Sequence, residues 1–146
     1  MSRVDDSGSD MDWRSFAVPP LNADAFPLPP LGVLVDGWQA EIRKLVRELD
    51  SDPCDHSVWG AHDFLGMLHL RDIVDQGLAQ LPSPARADAN RLLEAADRQF
   101  VDLTEPDDQG MLQRFVPSQP IGTAWWWRRV PKRGPVRFDL SRLDSA

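Results

Sequence analysis

Tyrosine is absent from the 146 residues, cysteine occurs once, and lysine occurs only as Lys44 and Lys132. The lone Cys54 excludes an internal disulfide, so the fold has to be held by its core. No run approaches the roughly 18 consecutive apolar residues of a membrane span. The N-terminus carries Asp5, Asp6, Asp10 and Asp12 where a secretory signal would place positive charge before an apolar stretch. A cytoplasmic protein with no membrane partner is expected. The sequence holds no glycine-rich phosphate loop, no serine or cysteine in a nucleophile-elbow setting and no closely paired zinc ligands. These absences argue against an enzyme and against a cofactor or metal. Few lysines and tyrosines beside plentiful arginine and alanine suggest high-GC bacterial coding.

What is present is a hydrophobic content of 42% in a chain long enough for one ordinary domain, and a net charge of −7. The charge is unevenly placed. Residues 33–124 hold sixteen acidic against eight basic side chains, whereas residues 125–146 hold two against six. An acidic body repels nucleic acid and anionic lipid, and it favours basic protein partners or simple solubility.

Apolar residues recur at helical spacing in three segments. Leu34, Trp38, Ile42, Leu45 and Leu49 predict a helix from near Val33 to Leu49, stopped by Asp50, Ser51, Asp52 and Pro53. Ala61, Phe64, Leu65, Leu68, Ile73, Val74, Leu78 and Leu81 predict a long central helix over Ser57 to Leu81, apolar on more than one side and so needing partners on two. Ala85, Ala89, Leu92, Leu93, Ala96, Phe100 and Leu103 predict a third, capped by Ser83 with Pro84 in its first turn. Short connections imply antiparallel neighbours. The expected fold is mainly α: a three-helix antiparallel bundle within a single helical domain, 33–146. It is preceded by a proline-rich, partly disordered arm (1–32) and completed by a C-terminal Trp/Arg β-hairpin or extended segment at about 123–140. The hairpin rests on the alternation of Val136, Arg137, Phe138, Asp139 and Leu140 after the turn-like Pro131–Pro135. Residues 111–116 are too few to assign and could add a strand.

The most unusual local feature is Trp125, Trp126 and Trp127 followed by Arg128 and Arg129. Tryptophan and arginine dominate protein–protein hot spots, and aromatics with adjacent guanidinium groups also bind single-stranded nucleic acid. The bland alternative is that the rings close the open end of the helices while the arginines pair with the acidic body. Phe26, in Phe26-Pro27-Leu28-Pro29-Pro30, is a second candidate, as a linear motif offered to a partner groove or as an apolar residue lying across the chain's own helices. Possible metal ligands are Cys54, Asp55, His56, His62 and His69, but His62 and His69 stand about 10 Å apart along a helix axis and cannot chelate one ion together. His69 is expected to pair with Asp72, one turn on. The histidine-bearing second helix resembles that of the DinB-like metal-dependent proteins over one helix only, without their spaced histidine triad.

The reading that follows is a non-enzymatic protein-binding module: a small acidic bacterial inhibitor, an antitoxin or toxin-immunity-type protein, or an adaptor. Its partner would be another protein, such as a basic toxin or nuclease, met through Trp125, Trp126, Trp127, Arg128, Arg129 and Phe26. A nucleic-acid or anion-binding module using the C-terminal Trp/Arg segment is the first alternative, and a metal-dependent helical-bundle enzyme the second.

Overall fold

The computed structural model describes residues 12–19, 27–55 and 58–142. The chain is mainly helical. Helix α1 spans Leu31–Glu48, α2 Ala61–Ala79 and α3 Ser83–Leu103, followed by strand β1 at Thr104–Pro106. A short helix α4 (Met111–Phe115), a 3₁₀ turn at Trp125–Arg128, strand β2 (Arg129–Pro131) and helix α5 (Gly134–Ser141) complete it. No helix among the described residues is long and apolar enough to cross a membrane.

The three long helices bury the stripes that their periodicity marks. Trp38, Ile42, Phe64, Leu68, Ala89, Leu93 and Phe100 all lie in one continuous core. Ahead of α1, a 3₁₀ turn at Trp13–Ser15 and the following residues lay Trp13 and Val18 into that core, and Ala17 bridges to Pro30. Close approach here depends on Gly77, where an added Cβ would stand 2.8 Å from a Leu31 methyl and 3.0 Å from Val18.

Helix ends are closed by distant groups more than by the residues the sequence suggests. The central helix starts at Ala61, with Gly60 as N-cap; Ser57, its expected start, lies outside the described residues. Its first amide, on Ala61, donates to Asp139 Oδ2 at 2.7 Å, a carboxylate supplied by α5. At the other end of α2, the Arg86 guanidinium donates to the carbonyls of Leu78, Ala79 and Leu81. Pro82, and not Ser83, occupies the N-cap position of α3, and no side chain caps that end. A carboxylate that caps from afar stabilises helix and tertiary contact together. Asp139→Ala should therefore cost about 1 kcal/mol, measured as a lower thermal midpoint with an unchanged far-ultraviolet spectrum of the folded state.

The C-terminal hairpin is not formed. Residues 136–140, expected as a strand after a turn at 131–135, lie instead in helix α5, because Pro135 fixes φ in the first helical turn and Gly134, at φ +90°, supplies the left-handed entry. Val136 and Leu140 are buried on one side of that helix, as an i, i+4 pair. Strand β2 does exist, but it pairs antiparallel with β1, Thr104 opposite Pro131 and Pro106 opposite Arg129, which places its partner directly after α3. Residues 111–115 add a helix instead of a strand; Asp107 caps it through the amides of Met111 and Leu112. Arg133 Nε donates to Asp50 Oδ1 at 2.7 Å, which ties the entry of α5 to the end of α1. That hydrogen bond and charge hold the Asp50 carboxyl below its ordinary range.

Candidate functional site

Trp125–Arg128 form a 3₁₀ turn rather than an extended strand, with Arg129 entering β2, and this decides where each ring goes. With three residues per turn, consecutive side chains leave the backbone in three different directions. Trp125 turns to α3, where it meets Phe100 edge-on at 6.0 Å, and it remains 40% exposed. Trp126 lies over the Arg71 guanidinium, 4.2 Å from ring centroid to carbon, and is 4% exposed. Trp127 is 2% exposed and packs against Gly122, where an added Cβ would sit 2.4 Å from its indole nitrogen.

One carboxylate holds two of these rings. Asp72 Oδ1 accepts the Trp126 indole N–H at 2.8 Å and that of Trp127 at 3.0 Å, and Oδ2 lies 2.9 Å from the latter. His69 meets Trp127 edge-on at 4.9 Å, so Asp72 is engaged by tryptophans where a His69 partner was expected. Behind Trp126, the buried Arg71 makes a two-point pair with Asp97, Nε to Oδ1 at 3.1 Å and Nη2 to Oδ2 at 2.8 Å. Asp97 Oδ1 also accepts the indole N–H of Trp38 at 3.0 Å. A continuous chain of polar contacts thus runs from Trp38 on α1 through Asp97 on α3 and Arg71 on α2 to Trp126 in the turn. Buried polar groups of this kind fix one arrangement of the elements that carry them.

The remaining residues singled out in the sequence fall apart from that chain. Arg128 is exposed. Arg129 is engaged within the fold, donating to Thr104 Oγ1 at 2.8 Å and to the Thr104 carbonyl at 2.9 Å. Phe26 and His56 lie outside the described residues. His62 meets Phe115 edge-on at 4.8 Å, and Cys54 is exposed, its amide donating to Asp52. No group of three or more His, Cys, Asp or Glu side chains among the described residues is placed to hold a metal ion.

Sequence reasoning passed over Arg71 and Asp97, although a signal existed. Arg71 follows Leu68 by three residues and precedes Val74 by three, on the apolar stripe of α2; Asp97 stands between Leu93 and Phe100 on the stripe of α3. A charge on a buried stripe requires a partner of opposite sign.

Three open clefts surround the loop that leads into the tryptophan turn. The largest, about 420 Å³, lies between α2 and residues 122–126; another, about 350 Å³, lies on the Arg128 side of Trp127. The third runs beside Leu65, Pro120 and Ile121. Compared with protein-family models, with curated proteins and with solved structures, the chain matches none.

Proposed function

We propose that the chain is a non-enzymatic protein-binding module, in the manner of a small acidic inhibitor, antitoxin or immunity-type protein or adaptor. Its three long helices, taken as an antiparallel bundle, act as scaffold for the tryptophan turn. The observation that carries this reading is Trp125: a large ring left 40% exposed while seated on Phe100 and, at 5.5 Å, on Trp126. A ring already held in place loses little conformational freedom when covered, which is the property of an interface anchor. The exposed Arg128 beside it adds the second residue type enriched in such anchors. The net charge of −7 favours a basic partner through faster encounter.

The test begins with the proteins that co-purify from the host, followed by a titration of the purified candidate. Trp125→Ala should weaken that complex by about tenfold or more; because the ring also packs on Phe100 and Trp126, the variant's own melt is measured beside it to show that the complex is lost from a folded protein. Equal affinity for parent, Trp125→Ala and Arg128→Ala would dismiss this patch as the partner surface.

A further inference from the structure

The cleft between α2 and residues 122–126 carries charge that the fold leaves unbalanced. Its walls include His69, Asp72, Ile73, Asp75, Ala124 and Trp126. The hydrogen bonds on Asp72 come from the indole N–H groups of Trp126 and Trp127, neutral donors that hold the carboxylate without cancelling its charge. One turn on, the Asp75 side chain is 63% exposed, and its ion-pair partner is Arg71, with Nη1 3.9 Å from Oδ1. That separation is too long for a hydrogen bond, and the Arg71 charge is balanced by its two-point pair with Asp97. Arg71 Nη1 itself is buried and donates to no acceptor among the described residues, so the contact with Asp75 is incomplete from both sides. Arg71 is matched by Asp97, and on the cleft wall the carboxylates Asp72 and Asp75 are left with no arginine or lysine among the lining residues.

We infer that this cleft is a socket for an arginine side chain of the protein partner. The inference rests on the protein-binding reading given above, and it names the chemistry by which that partner is recognised. Ile73 and Ala124 offer apolar surface to the side-chain stem, as long cationic side chains use elsewhere. The residues that can accept, Asp72, Asp75 and Gln76 on α2 and Thr123 in the loop, come from both walls of the cleft. A planar guanidinium with five donors suits a dispersed set better than a compact ammonium does. The position also adjoins the Trp125 patch, because Trp126 forms part of the cleft wall and its ring meets that of Trp125 edge-on at 5.5 Å. A partner covering Trp125 therefore lies within reach of it.

The probe is N-acetyl-arginine methylamide, with the uncharged citrulline analogue as control. Indole N–H resonances report directly, since those of Trp126 and Trp127 are bonded to Asp72. The expected result is a saturable shift of these two resonances with the arginine probe, weaker at higher salt and absent with citrulline. Asp75→Asn, at an exposed site, should weaken the probe about tenfold and leave the melting temperature unchanged. No saturable shift, an equal shift with citrulline, or unchanged affinity in Asp75→Asn would overturn the socket. Failure of the probe while Trp125→Ala still releases the purified partner rejects the arginine socket and leaves the protein-binding reading standing. Probe binding that persists while Trp125→Ala and Arg128→Ala leave the partner's affinity unchanged supports the socket and rejects the Trp125 patch.

Discussion

Asp97→Ala should lower the unfolding free energy by about 3–5 kcal/mol, read from urea denaturation followed by tryptophan fluorescence. The substitution removes both hydrogen bonds from the Arg71 guanidinium, whose side chain is 6% exposed, and it strips the acceptor from the Trp38 indole at the same time. Arg71 would keep only its 3.9 Å contact with Asp75, and a buried cation so poorly compensated is the costlier half of the broken pair. Arg71→Met is expected to be milder, because Asp97, with 18% of its side chain exposed, can take water and keeps the Trp38 hydrogen bond. Methionine also fills much of the arginine stem's volume and removes the buried Nη1, which has no hydrogen-bond acceptor among the described residues. The two losses should not add, since the double variant lacks the interaction that each single variant breaks. If Arg71→Met proved as damaging as Asp97→Ala, the pair would owe its worth to the stacking of Arg71 on Trp126 and not to charge balance.

Asp72→Ala comes next in size. Two indole N–H groups, on rings 4% and 2% exposed, would lose their acceptor together. An orphaned buried donor costs about 1–3 kcal/mol, and two that share one acceptor add less than fully, so a loss of about 2–4 kcal/mol is expected for the pair, with both indole resonances moving. Asp72→Asn separates geometry from charge. Its carbonyl can replace Oδ1, which serves both rings, but its amide nitrogen would face the Trp127 indole where Oδ2 now accepts. An intermediate cost follows, with Trp127 disturbed more than Trp126. A parent-like melt for Asp72→Ala would mean that Gly122 and the surrounding packing hold the turn unaided.

The same carboxylates explain why the tryptophan turn resists prediction from its own residues. Three tryptophans and two arginines are compatible with an exposed strand, with an interface or with a lid over the helices. The choice is made by Asp72, 54 and 55 positions earlier in the chain, and by Arg71 beneath Trp126. Three of the five candidate residues in 125–129 consequently sit inside the fold or bonded to it, and Trp125 and Arg128 are left at the surface. The expected His69–Asp72 pair yields for the same reason, because two indole donors occupy the carboxylate and His69 packs edge-on against Trp127.

Helix placement was legible in the sequence because its cause is local. Apolar residues three and four apart mark α1, α2 and α3, and prolines at 53, 82 and 106 bound them whatever the rest of the chain does. The fate of residues 134–141 was not, since Val136, Phe138 and Leu140 satisfy the period of a strand while Val136 and Leu140 equally satisfy that of a helix. Short segments carry too little periodicity to choose, and contact with the rest of the fold chooses for them: Gly134 against the Leu49 carbonyl, and Asp139 on the first amide of α2. By itself the sequence determined that this protein would be mainly helical, acidic in its body and rich in tryptophan at one point. Only the tertiary structure decided which tryptophan of the turn faces water and which carboxylate holds the other two, because both depend on contacts between residues that are neighbours in space and strangers along the chain.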